Sequence, residues 1–273
     1  MIEVVYVIRH AFRSNWSVNP QTGEYSSSTK NPTGIPTDPP LASYGVEQAR
    51  ELADYLCTID PPVDRIYSSP FYRCLQTLKP TTDRLFAEGK AGGKIRVDRG
   101  IGEFFGIAHF EHPTPPDLKI LAPFFTNLDH DHSSTHIPHS RGERILELHD
   151  RVNRALETII TSLDEDPEQP KALLICTHAA TMIAIGRALT GKMPEDPDED
   201  DFQCYTASLS RFQRNKKGGK QVIGNWDCVL NSETGYLSGG AERGWKFNGE
   251  ESFVSFAEPE PEPLVEDRES PKL

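Results

Sequence analysis

Long hydrophobic runs are missing from this 273-residue chain. None reaches the roughly 18 apolar residues that a membrane-spanning helix needs, so a transmembrane anchor is not expected. The start, MIEVVYVIRH, lacks the basic head, long apolar centre and small-residue cleavage site of a secretory signal, and its apolar stretch reads as a buried strand. Cysteine is scarce as well: Cys57, Cys74, Cys176, Cys204 and Cys228 are odd in number and never paired as CxxC. Their scatter argues against a structural zinc site or a disulfide framework, and predicts a reducing compartment, cytoplasm or nucleus. An excess of positive charge is absent too. A formal net charge of -12 disfavours a broad nucleic-acid-binding face. A few convergent arginines can still hold a small anion, because a distant acidic surface is screened by salt.

What is present is enough apolar sequence for a large core. A chain of this length buries roughly three quarters of its unfolded surface and needs no covalent staple. Residues 3–9 are rich in Val and Ile, as in a strand covered on both faces, whereas residues 11–40 read as a long polar loop. LASYGVEQARELADYL places Val46, Ala49, Leu52, Ala53 and Leu56 at helical spacing, with Ser43 as candidate N-cap. VDRIYSS is a short strand running into a helix, SPFYRCLQTL, with Pro70 in its first turn. KIRVD is another strand, followed by GIGEFFG, and residues 106–141 are Pro- and His-rich without a readable period.

From Glu143 onward Ile145, Leu148, Val152, Leu156, Ile159 and Leu163 mark one face of a long helix. KALLICTH is a second buried strand, and AATMIAIGRALTG the helix behind it, stopped at Gly191. FQCYTASLSRFQ, KQVIGNWDCVL and GWKFNG read as three further strands. Strand–helix alternation predicts an α/β fold: three layers, an open and mainly parallel sheet with helices on both faces, and extra C-terminal strands. One domain is expected over residues 1–257, with a core at 3–212 and a strand extension at 213–257. The Pro- and Glu-rich residues 258–273 are expected to form a disordered acidic tail.

In open parallel sheets ligands bind beyond the carboxyl ends of the strands. Three such ends carry unusual residues here. Arg9 and His10 follow one strand directly, with Arg13 close behind; Arg73 opens the helix after another; His178 leaves a third. Arginines grip phosphoryl oxygens in a fork that does not titrate away, and a neutral imidazole can attack phosphorus. A carboxylic acid must then protonate the leaving oxygen, and Glu103 is the candidate.

At these residues the chain resembles the histidine phosphatase superfamily, with its phosphoglycerate-mutase-like fold. The resemblance rests on VIRHAFR, PLASYGVEQARELADYL, IYSSPFYRCLQTL, GIGEFFG, SRGERILELHDRV and LLICTHAATMIAIGRALTG, in the family's order. RHxxR and SPxxRCLQT look closest to the TULA/Sts phosphatases and to fungal proteins related to the phosphatase-like subunit of transcription factor IIIC. The resemblance implies a phosphomonoester hydrolase, acting on a small phosphoester or a phosphoprotein without metal or cofactor. His10 would become phosphohistidine; Arg9, Arg13, Arg73 and His178 would hold the phosphoryl oxygens; Glu103 would be the general acid and base. The alternative, second to it, is a weakly active or non-catalytic interaction subunit of a transcription factor IIIC-like complex that docks a protein through the C-terminal strands. Two departures stand out. Ala11 replaces the glycine of the usual RHG, which Ala tolerates if the backbone is ordinary. Trp16 occupies the place of a mutase-like Asn, with Asn15 one residue earlier, which disfavours a mutase.

The segment DHDHSSTHIPHS gathers His130, His132, His136 and His139 with Asp129 and Asp131. Its spacing fits no familiar zinc pattern, so a polar insertion acting as a lid or specificity loop is the expectation. NKKGGK reads as a hairpin turn, and Trp226, Trp245 and Phe247 as packing residues.

Overall fold

A computed structural model describes residues 1–249 and 252–253. Strand β1 (Val4–Arg9) lies inside a six-stranded sheet ordered β5-β4-β6-β1-β7-β8, where β4 is Arg65–Ser68, β5 Ile95–Val97, β6 Ala172–Thr177, β7 Leu209–Arg214 and β8 Trp226–Glu233. The first four in that order are mutually parallel; β7 runs antiparallel to β1, and β8 antiparallel to β7. The mainly parallel α/β sheet is therefore the one expected.

Each face of β1 and β6 is apolar because helices cover both sides. Val5, Val7, Leu173 and Ile175 pack under α4 (Ile145–Asp164) and α5 (Ala179–Thr190). Val4, Tyr6, Ile8, Leu174 and Cys176 face α1 (Ser43–Leu56) and α2 (Tyr72–Ala87). Among the described residues no helix is long and apolar enough to cross a membrane. The expected tail at 258–273 lies outside the described residues.

Several local expectations are corrected. Ala42, not Ser43, is the N-cap of α1, and no side chain caps that end. Pro70 precedes α2, whose N-cap is Phe71, and the helix continues past Leu78 to Ala87 with Pro80 inside it. The supposed loop 11–40 contains a hairpin, β2 (Trp16–Val18) with β3 (Tyr25–Ser27). Residues 106–141 hold one short helix, α3 (Leu118–Leu121). FQCYTASLSRFQ is strand only from Leu209, and GWKFNG forms no strand at all. Its Phe247 is buried for another reason: it is 1% exposed and packs on Phe104, half-buried Trp245 and the Arg187 guanidinium.

Gly45 shows how tightly α1 supports the turn after β1. An added Cβ there would overlap the Phe12 backbone carbonyl, which is itself held by the Ala42 N–H at 3.0 Å. Backbone cannot swing aside as a long side chain can. Gly45→Ala is therefore expected to cost about 1–3 kcal/mol, read from urea melts, and to displace the turn that carries His10.

Candidate functional site

Four parallel strands deliver their carboxyl ends to one edge of the sheet, and the chemistry-bearing residues sit on the turns just beyond. His10 N–H bonds the Thr177 carbonyl at 2.9 Å, Ser69 N–H the Cys176 carbonyl at 2.9 Å, and Asp98 N–H the Ser68 carbonyl at 2.9 Å. The sheet ladder thus runs one step past each strand, and the turn residues inherit its rigidity. His178 is the N-cap of α5, and Arg73 lies in the first turn of α2. Both helices therefore start at this edge, an arrangement that favours negative charge.

Three of the sequence-predicted residues touch. Glu103 Oε2 accepts from Arg73 Nη2 at 2.7 Å and lies 3.1 Å from His178 Nδ1. Arg73 is fully buried; its Nη1 donates to the Thr37 carbonyl at 2.9 Å, Asp38 stands 3.5 Å away, and its guanidinium lies 4.4 Å from the Phe71 ring centre. His178 Nε2 and Ser69 Oγ are 2.7 Å apart.

His10 sits edge-on to His178, ring centres 5.2 Å apart, and is 3% exposed. Its Nδ1 lies 2.8 Å from the Ala11 carbonyl, an oxygen that can only accept. Nδ1 therefore carries the proton, and Nε2 keeps its lone pair. Burial, joined by the charges of Arg73, His178, Arg9 and Arg13, pushes the His10 pKa well below the usual histidine range, so the ring is neutral. Burial alone would raise Glu103, but His178 and Arg73 outweigh it and hold the carboxyl well below its ordinary value. Burial opposes the charge on His178, yet Cys74 and Glu103 raise its pKa above the usual value.

Arg9 and Arg13 complete the positive field without joining that contact set. Arg9 Nη1 donates to the carbonyls of Cys204 at 2.6 Å and Arg243 at 2.5 Å. Arg13 Nη1 donates to the Ser14 carbonyl at 2.9 Å, and its guanidinium lies 5.6 Å from the Trp16 ring centre. Burial, aided by Arg73, pushes Arg13 down to about 10, which leaves it charged at neutral pH.

Some supporting residues escaped the sequence reading. Thr77 Oγ1 accepts from Ala11 N–H at 3.0 Å and donates to the Arg73 carbonyl at 2.7 Å, tying the His10 turn to α2. Buried Gln48 accepts from Phe12 N–H at 2.9 Å. The turn leading to Glu103 is held by Arg151 on the Gly100 carbonyl at 2.9 Å, Thr177 on Ile101 at 2.6 Å and Thr181 on Gly102 at 2.7 Å. Only the strand-end position of Ser69 and Thr177 offered a signal; Gln48 and Arg151 look like ordinary helix residues. Ala11 is fully buried and lies outside the left-handed backbone region, so the missing glycine leaves no strain.

Beside Glu103 opens a pocket of about 420 Å³, walled by Phe71, Phe105, His112, Pro113, Pro115 and Pro138. Trp16 and Tyr25 of the β2–β3 hairpin back this wall through Phe105 and His112. The first half of the His-rich segment is pinned to the Asp98 turn, while Pro138 and its neighbours line the pocket: His132 Nε2 and Thr135 N–H bond Asp98 Oδ2 at 2.9 and 3.0 Å, and Ser134 Oγ accepts from Arg99 N–H at 3.0 Å. Among the described residues no three His, Cys, Asp or Glu side chains converge as a metal site.

This geometry has counterparts. The profile of the histidine phosphatase superfamily (branch 1) matches residues 5–227. The transcription factor tau 55 kDa subunit of Saccharomyces cerevisiae is 30% identical over 269 residues, covering 91% of this chain and 59% of that protein. Ubiquitin-associated and SH3 domain-containing protein A of Homo sapiens is 29% identical over 198 residues, 70% of this chain and 28% of that protein. The ecdysteroid-phosphate phosphatase of Drosophila melanogaster is 25% identical over 215 residues, 71% of this chain and 28% of that protein. The chain thus spans less than two thirds of each relative, 59% of the first and 28% of the other two. Among solved structures, the silkworm (Bombyx mori) ecdysone phosphate phosphatase with tungstate superposes at a TM-score of 0.58 and 20% identity, covering 85% of this chain and 96% of that one. A mycobacterial glucosyl-3-phosphoglycerate phosphatase with inorganic phosphate gives 0.53 at 18% identity, covering 86% and 100%. Those two likenesses show the shared fold. The profile match over most of the chain settles the family: this protein belongs to the histidine phosphatase superfamily.

Proposed function

We propose that the chain is a phosphomonoester hydrolase working through a phosphohistidine on His10. The observation that carries this reading is a neutral His10 with Nε2 unprotonated, set beside the Arg73–Glu103–His178 contact set. The phosphoryl group binds against Arg9, Arg13, Arg73 and His178, whose charges match its oxygens and the charge that develops in the transition state. The His10 Nε2 lone pair forms a bond to phosphorus as the ester P–O bond breaks. Glu103 gives its proton to the departing oxygen, then takes one from the water that attacks phospho-His10 and releases phosphate.

Glu103 must be protonated for the first step, although Arg73 and His178 hold it ionised before substrate arrives. A phosphoryl dianion laid against those same two groups cancels their field, so substrate binding and proton uptake by Glu103 are coupled. No step calls for a metal; a chelator should leave the rate unchanged. The Arg243 carbonyl on Arg9 supports treating the core and the extension that reaches Arg243 as one functional domain.

The direct test is rapid mixing with a phosphorus-labelled aryl phosphate. Label on the protein that survives base and is lost in acid supports phosphohistidine; no label and no turnover would sink the reading. A second expectation concerns acidity. Arg13 is among the charges that keep His10 neutral. Arg13→Gln should therefore move the acid limb of kcat/KM to higher pH, after allowance for the substrate's own ionisation. An unmoved limb would show that another group sets it.

The tau 55 kDa relative, aligned over 91% of this chain, favours a second reading: a nuclear docking subunit on the same fold. Absence of hydrolysis above His10→Ala, together with co-purification of a transcription complex, would select it.

A further inference from the structure

The pocket beside Glu103 contains an unmatched charge. Two of its lining carboxylates are already engaged: Glu103 by Arg73 and His178, and Glu143 by Arg151 Nε at 2.7 and 2.9 Å. Arg99 lines the same pocket, and among the described residues no hydrogen bond, ion pair or aromatic face engages its guanidinium; its Nε is sequestered from water without a partner. Burial lowers its pKa, and no charged neighbour contributes to the shift. His112 is no substitute, since burial pushes its pKa down too. A half-buried guanidinium lacking a counter-charge is costly, and a bound anion relieves that cost.

We infer that Arg99 forms a second anion subsite, selecting phosphomonoesters whose alcohol portion carries another negative group, a carboxylate or a second phosphate. This rests on the phosphatase reading, because it makes the pocket the seat of the leaving alcohol. Glu103 lies on the pocket wall, where a leaving oxygen would meet its proton, and Arg99 stands four residues before it on the same rigid turn. The flanking Phe71, Phe105 and Pro113 suit the apolar body between the two anionic ends.

The test compares 4-carboxyphenyl phosphate and 1,4-phenylene bisphosphate with the neutral 4-methylphenyl phosphate. The ratio of kcat/KM, charged over neutral, should fall about tenfold in Arg99→Gln, carried by KM, while turnover of the methyl substrate stays at the wild-type level. The two charged substrates show which anion the subsite prefers. Arg99→Lys should retain part of the preference, and thermal melts should match wild type, since the guanidinium holds no partner among the described residues. An unchanged ratio in Arg99→Gln, with both proteins active, overturns the subsite and leaves the phosphatase reading standing. If no substrate is hydrolysed above the His10→Ala background, the phosphatase reading fails. Calorimetric binding of 4-carboxybenzylphosphonate against benzylphosphonate then decides the subsite: a preference lost in Arg99→Gln sustains it, and equal binding overturns it.

Discussion

His10→Ala should lose roughly 10³–10⁶-fold in kcat on an aryl phosphate and form no phosphoenzyme, yet bind inorganic phosphate or vanadate about as well as wild type. The dissociation follows from what His10 touches. Among the described residues the ring's one hydrogen bond runs to the carbonyl of the next residue, so removing the ring unties nothing distant. The anion-holding groups are anchored elsewhere: Arg9 by Cys204 and Arg243, Arg73 by Thr37 and Glu103, His178 by Ser69. Deleting the ring also lifts no carboxylate out of its pair. Melting should therefore shift only by the few kcal/mol or less of a truncated buried side chain. Activity retained within tenfold of wild type would disprove nucleophilic attack by His10.

Arg73→Ala should be worse for the protein as a whole. Arg73 is fully buried, and the variant leaves Asp38 without its cation and Glu103 with His178 alone. Breaking a buried pair from one side costs about 3–5 kcal/mol, and loss of a preorganised donor to the transition state costs about 10²–10³-fold in kcat. The pH dependence gives the mechanism away. Burial already pushes Asp38 up to about 6 with Arg73 in place, and without that charge it rises further. Protonation removes the uncompensated charge, so the stability deficit relative to wild type should be larger at neutral and higher pH and shrink as pH falls toward about 5. Arg73→Lys keeps the charge but not the fork that reaches Thr37 and Glu103 together, so it should recover stability better than rate. Urea melts at several pH values, run beside kcat, separate the two effects. A deficit independent of pH would mean that packing over Phe71, not charge, dominates.

How much of this was visible in the residues depends on what each position answers to. Arg9, His10 and His178 were legible because uninterrupted Val/Ile/Leu runs announce strands buried on both faces, and polar residues directly after such runs fall at one sheet edge. Arg73 and Glu103 were legible through their place after shorter strands. The β2–β3 hairpin was not, since WSV and YSS are three residues long and sit among Ser, Asn and Pro that read as loop. GWKFNG misled because alternating aromatics signal burial, and burial there comes from packing around Phe104 and Arg187 instead of from sheet pairing. Arg151 and Gln48 were invisible because the turns they hold, through the Gly100 carbonyl and the Phe12 N–H, lie far away in the chain, which no local period encodes. The Pro-rich pocket wall has no period at all, and Arg99 emerged only once its neighbours were in place.

The placement of β1 has a consequence for how the molecule comes to exist during synthesis. Val4–Arg9 is an inner strand made before both of its neighbours, Ala172–Thr177 and Leu209–Arg214, which leave the ribosome much later. The Arg243 carbonyl that steadies Arg9 follows later still. Until then an apolar strand with both edges bare waits for partners, the state in which strands pair with the wrong neighbour. Such long-range pairing also makes for slow folding. The nascent chain is thus most exposed to misassembly, and most dependent on chaperone shielding, through the interval between its first strand and its seventh.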